Sequence, residues 1–125
     1  DGPMVTLVNK GTASASEILA GSLQDNKRSK LIGEQTYGKG LIQSLKSLSE
    51  DSGIAITVAS YLTPNGNNIQ GRGIVPDKVL DFEEAKDYGS SEDKWVKDSE
   101  IYLSSLLDKK ANNQDKEQNL GGITE

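Results

Sequence analysis

Ser14, in the run Gly11-Thr12-Ala13-Ser14-Ala15-Ser16-Glu17, and Lys39, in Tyr37-Gly38-Lys39-Gly40, pair a hydroxyl nucleophile with an amine that could take its proton. The chain has no histidine. A serine attacks a carbonyl only when some base accepts its proton, and without an imidazole the Ser-His-Asp arrangement is closed to these residues. Lysine is the remaining common base. To act it must be neutral part of the time, which means lowering a pKa of about 10.4 by desolvation or by a neighbouring positive charge. Burial of Lys39 is therefore an expectation of this reading.

Both residues also have a plainer reading. Ser14-Ala15-Ser16-Glu17 is a capping-box pattern, in which the serine oxygen accepts the backbone N–H of Glu17 at the start of a helix. Lys39 between two glycines reads equally well as a solvated loop lysine. The cap and the nucleophile are compatible, because the positive end of a helix dipole suits an oxyanion developing beside it, and the Ala15 N–H would donate to that oxyanion. Thr12 and Ser16 are rival hydroxyls, and local chemistry does not choose among the three.

Gln43 lies four residues after Lys39 and shares its face of a strand. At roughly 3.3 Å per residue their Cα atoms stand about 13 Å apart if fully extended, so contact needs a bend near Gly40 or the full reach of both side chains. A neutral amide would orient the lysine without holding it protonated, as a carboxylate would. The same lysine ends a G-x-x-x-x-G-K match running from Gly33 to Lys39, the start of a phosphate-binding loop. Nucleotide binding is rejected because Gly40 stands where a Ser or Thr should hold magnesium. The next segment also reads as a strand, whereas a phosphate loop opens a helix.

The elements that must place these residues alternate. Met4 to Val8 reads as a buried strand ending in a turn at Asn9-Lys10-Gly11. From Ser14 to about Asn26 a helix is expected, with Ala15, Ile18, Leu19, Ser22 and Leu23 as its mainly apolar stripe. Lys30 to Ile32 resumes as a strand, and Gly33 to Gly40 is a loop. Leu41 to Leu48 and Ile54 to Tyr61 read as an antiparallel pair. Thr63-Pro64-Asn65-Gly66 is a turn, and the stretch from Ile69 to Asp77 is irregular. Ser91 or Asp93 opens a last helix reaching about Lys109, with Trp95, Tyr102 and Leu106 near one face. The fold class is α/β with a mixed sheet.

Apolar residues make up 34% of the 125-residue chain, and the shortfall from an average domain is concentrated after Ala111, where Asn, Gln, Asp, Lys and Glu take over. Residues 1–110 are expected to fold, and residues 111–125 to form a polar, disordered tail. The abrupt beginning at Asp1-Gly2-Pro3 suggests a piece of a longer protein. A net charge of -5 without a basic patch argues against nucleic acid as a partner. Zero cysteines exclude disulfides and thiolate metal sites. No apolar run approaches the roughly 18 residues of a membrane span.

Three ordered blocks, LVNKGTASASEILAGSLQDN, IGEQTYGKGLIQS and YLTPNGNNIQGRGIVPD, closely resemble the C-terminal processing peptidases, or tail-specific proteases, of serine peptidase family S41. The resemblance covers roughly Pro3 to Asp81 and includes the separations between the blocks. It implies an α/β core related to the crotonase and Clp-peptidase architecture, of which this chain would be the C-terminal portion. It also implies Ser14 as nucleophile and, 25 residues later, Lys39 as base, with Gln43 completing the dyad, and it counts out Thr12 and Ser16. The Ala15 N–H would form half of the oxyanion hole, the other half coming from a glycine upstream of this chain, and Asp25 corresponds to an acidic residue that influences activity. No metal or cofactor is implied.

The implied reaction is cleavage near the C-terminus of protein substrates. The wording of the blocks is most like cyanobacterial and plastid members, which trim a photosystem II reaction-centre precursor. The resemblance places such enzymes in the periplasm or the thylakoid lumen and gives them an upstream PDZ domain that captures the substrate's tail. Without that domain and the second oxyanion donor, the isolated chain is expected to be inactive. The alternative is a non-catalytic folding or interaction module derived from such a protease.

Overall fold

The computed structural model describes residues 2–84 and 86–120, with side chains to residue 113. The described residues divide into two compact units, Thr6–Asp81 and a second built from residue 82 onward with those before Thr6.

In the first unit the apolar run at the chain start forms β1 (Val5–Val8), and α1 (Ala15–Asp25) follows with Ser14 as its N-cap and Asn26 as its C-cap. The chain then returns as β2 (Lys30–Gly33). β3 (Leu41–Ser49) and β4 (Ser52–Ser60) form the expected antiparallel pair, with a register shift between Ile42 and Gln43. A short β5 (Lys78–Val79), not anticipated from the sequence, lies parallel to β2 and places Ile32 beside Lys78 and Gly33 beside Val79. The strands make two sheets, one in the order β1-β2-β5 and the other the β3-β4 pair. This is a mixed α/β architecture.

The core consists of Val8, Ala20, Leu31, Ile69 and Ile74, with Ile18 and Tyr61 packed against it. The helix stripe differs from the expectation. Ala15 is exposed and Leu19 is 62% exposed, whereas Glu17, Ala20 and Gly21 are buried. Two contacts rotate α1 this way. A Cβ at Gly21 would lie 3.0 Å from the Thr63 methyl and 3.1 Å from Ile74 Cδ1, so a larger residue would press both side chains aside by a few tenths of an ångström. Glu17 faces inward because its carboxylate finds four donors there, described below.

Asp77 ties the irregular 69–77 segment to β2, its Oδ2 accepting the Leu31 N–H at 2.8 Å and its Oδ1 standing 3.6 Å from Lys30 Nζ. The predicted turn at Thr63 is present, with the Gly66 N–H donating to the Thr63 carbonyl at 2.8 Å.

In the second unit α2 spans Lys94–Leu120. Of the two possible starts the structure selects Asp93, whose Oδ1 accepts the Trp95 and Val96 N–H groups at 2.9 and 3.3 Å, while Oδ2 accepts that of Gly89 at 2.9 Å. The Gly89 hydrogen bond, aided by those from Val96 and Trp95, holds the Asp93 carboxyl below the usual carboxylate range although burial acts the other way. The Trp95 indole N–H donates to the Phe82 carbonyl at 3.0 Å. The helix continues past the Lys109 end expected from the sequence into the polar stretch after Ala111, whose Ala, Lys, Gln and Glu residues are good helix formers. Residues 121–125 of that stretch lie outside the described residues.

Candidate active site

The Ser14 loop is built from the end of β1. Asn9 and Thr12 close a turn in which the Thr12 hydroxyl accepts the Asn9 N–H at 3.0 Å and donates to Asn9 Oδ1 at 3.3 Å. The Thr12 hydroxyl is thus committed to the turn. Two residues later Ser14 has φ 54° and ψ -119°. A non-glycine residue there stores on the order of 1–3 kcal/mol of backbone strain, which persists only where the surroundings impose it. Ser14 makes a sharp bend between strand and helix.

Of the predicted capping box the contact made by the glutamate side chain is present, while the Glu17 N–H goes to the Ser14 backbone carbonyl. The Ser14 N–H donates to Glu17 Oε2 at 3.0 Å. In the first turn of α1 the N–H groups of Ser16, Glu17 and Ile18 go to the carbonyls of Ala13, Ser14 and Ser14 at 3.2, 3.0 and 3.1 Å. The Ala15 N–H, at the first position of the helix, has no intrahelical acceptor, and Ala15 as a residue is exposed.

Glu17 does more than complete a cap. Fully buried, it accepts from the Lys39 N–H through Oε2 at 2.9 Å, and through Oε1 from the Gly38 N–H at 2.7 Å and the Thr36 hydroxyl at 2.5 Å. The backbone amides of Ser14 and Lys39 therefore share one carboxylate oxygen, which holds the two nitrogens within roughly 6 Å of each other. The Tyr37 N–H adds a bond to the Thr12 carbonyl at 2.9 Å. The Ser14 loop and the lysine loop are thereby one hydrogen-bonded body.

The lysine loop leads into a strand, β3, rather than a helix, in keeping with rejection of a phosphate loop. Its other side is braced by the 69–74 segment. The Ile74 N–H donates to the Thr36 hydroxyl at 2.7 Å, and a Cβ at Gly73 would meet the Thr36 carbonyl oxygen at 2.3 Å, so a glycine is required there. The Lys39 side chain itself is exposed, and the burial expected of a base is not supplied by this chain alone. Gln43 lies on β3 opposite Thr57 and is also exposed. Asp25 sits at the far end of α1 from Ser14, where its Oδ2 accepts the Asn65 N–H at 2.8 Å and anchors the Thr63–Gly66 turn.

Residues 1–80 match the model of peptidase family S41. The chain belongs to this family. It is 63% identical over 81 residues to the carboxyl-terminal-processing protease of Synechocystis sp., covering 65% of this chain and 19% of that protein. With the chloroplastic C-terminal processing peptidase of Tetradesmus obliquus it shares 58% identity over 81 residues, covering 65% of this chain and 18% of that one. Among solved structures it resembles a photosystem II D1 C-terminal processing protease, with a TM-score of 0.60 and 58% identity over 63% of this chain and 20% of that one. The chain spans about a fifth of the length of these relatives.

In this S41 chain the sequence alone did not reveal the reach of Glu17 to the lysine loop, the bridging hydroxyl of Thr36 or the brace from residues 69–74. The capping-box glutamate was a visible signal, but a cap accounts only for its contact with Ser14. The bonds to Gly38 and Lys39 join residues more than twenty positions apart and follow from the fold.

Proposed function

We propose that this chain is the portion of a serine endopeptidase that supplies both the nucleophile, Ser14, and its base, Lys39, and that the intact enzyme cuts protein substrates near their C-termini. The observation that carries the reading is the single Glu17 oxygen accepting from both the Ser14 and Lys39 amides.

Ser14 Oγ attacks the peptide carbonyl as neutral Lys39 Nζ takes its proton. The developing oxyanion is met by the Ala15 N–H at the positive end of α1 and by a second donor from outside this chain. Lys39 then gives the proton to the departing amine, leaving an acyl-Ser14 ester. Water attacks the ester, with Lys39 taking its proton and returning it to Ser14. Gln43 orients the lysine as an uncharged partner, and Asp25 supports the site at a distance by fixing the 63–66 turn. No step calls for a metal or cofactor.

The substrate class is the C-terminal tail of a protein. The solved relative is a photosystem II D1 C-terminal processing protease, and a precursor of that kind is one candidate substrate for the intact enzyme. The setting proposed by kinship is extracytoplasmic, the periplasm or thylakoid lumen. No helix among the described residues is long and apolar enough to cross a membrane.

Incubating the intact protease with a purified protein carrying a C-terminal extension should release that extension, and Ser14→Ala should abolish the release. Equal release by the Ser14→Ala protein would contradict the assignment.

A further inference from the structure

We propose that Gln70 is a positioning residue for Lys39, acting through the backbone of the lysine loop; the role rests on Lys39 as the base. Lys39 stands between Gly38 and Gly40, neither of which has a side chain to restrict the backbone, so the direction of its Cα–Cβ bond depends on what pins the peptides on either side.

The peptide before Lys39 is held at both ends. Its N–H donates to Glu17 Oε2 at 2.9 Å, and its carbonyl, that of Gly38, accepts the Gly71 N–H at 2.9 Å. The peptide after Lys39 is held by Gln70, whose Oε1 accepts the Gly40 N–H at 2.9 Å. With both peptide planes fixed, φ and ψ of Lys39 are fixed, and with them the line along which its amine leaves the loop. The bond closes a tight approach of the two segments. A Cβ at Gly40 would lie 2.6 Å from Gln70 N and 2.9 Å from Ile69 Cβ.

Gln70 is itself pre-set for this contact. Its N–H donates to Asn68 Oδ1 at 2.9 Å, and its neighbour Ile69 is fully buried in the core. The residue type also suits the task. The Glu17 carboxylate already accepts the Lys39 N–H, and an amide oxygen accepts that of Gly40 without adding a second negative charge to a loop whose lysine must lose its proton, whereas a carboxylate there would favour the protonated form.

The test compares Gln70→Met, which keeps the length and removes the acceptor, with Gln70→Glu, which keeps the acceptor and adds a charge. Lys39→Ala serves as control, and all are made in the intact protease. A fluorophosphonate probe reads the rate of Ser14 labelling, and hydrogen exchange reads the Gly40 amide.

Losing one hydrogen bond of this kind should cost about tenfold in each readout. Gln70→Met should therefore label about tenfold more slowly and exchange Gly40 about tenfold faster, with Leu31 exchange unchanged. Gln70→Glu should restore Gly40 protection while moving the pH profile of labelling to higher pH. Labelling of Gln70→Met within twofold of wild type, or an unchanged Gly40 amide, with Lys39→Ala inert, would overturn the role of Gln70 alone. Wild-type labelling by Lys39→Ala would overturn the base assignment and this role with it.

Discussion

At the scale of single residues the site rests on a strained serine and a buried glutamate. Ser14 occupies a conformation that glycine adopts freely, so Ser14→Gly should be more stable than Ser14→Ala by about 1 kcal/mol in urea unfolding, although both lack the hydroxyl. Equal stabilities would show that the bend stores no strain. Glu17 is the joint between the two loops. Glu17→Ala would leave three amides and the Thr36 hydroxyl without their acceptor, each such loss costing on the order of 1–3 kcal/mol, partly shared by relaxation. The expected outcome is a loss of about 3 kcal/mol or more in unfolding free energy together with loss of Ser14 labelling; a variant that keeps both would contradict the joint. The pair Ser14 and Glu17 was legible as a capping box because helix starts are local. The destination of the second carboxylate oxygen was not, since it depends on where a loop twenty residues away is folded back.

At the scale of elements, β1, α1, β2 and the β3-β4 pair were legible from periodicity and turn residues. The buried face of α1 was not: apolar spacing favoured Leu19, but the helix turns to seat Glu17 and to bring Gly21 against Thr63 and Ile74. β5 is two residues long and has no period to read. Exposed apolar residues on the pair, Leu45, Leu48, Ile54, Ile56 and Val58, show why alternation there was easy to see and left its partner unspecified. The start of α2 depends on Asp93, whose carboxyl titrates lower in the folded chain than in the unfolded one, chiefly through the Gly89 hydrogen bond. Its contribution is present above the unfolded value of about 3.9 and is lost as pH falls through the folded one. Asp93→Asn should therefore weaken the acid-induced loss of helical circular dichroism below about pH 4; an unchanged acid transition would remove Asp93 as its source.

At the scale of the whole molecule the chain covers about a fifth of its S41 relatives, yet it contains Ser14, Lys39 and the residues that bind their backbones together. Ser14, Lys39 and the residues that tie their backbones together therefore lie within one compact unit, and the proposed function assigns cover for the exposed lysine, a second oxyanion donor and recognition of the substrate's tail to the rest of the intact enzyme. The family was legible in three blocks and their spacing because those blocks are the loops tied to one another through Glu17, Thr36 and the 69–74 segment. The central claim is that Lys39 removes the Ser14 proton, and it is tested by the rate at which a fluorophosphonate labels Ser14 in the intact protease with and without Lys39→Ala. We predict a fall of at least about a hundredfold, the scale of a lost general base, with unfolding midpoints alike; labelling at the wild-type rate would contradict the Ser14-Lys39 dyad.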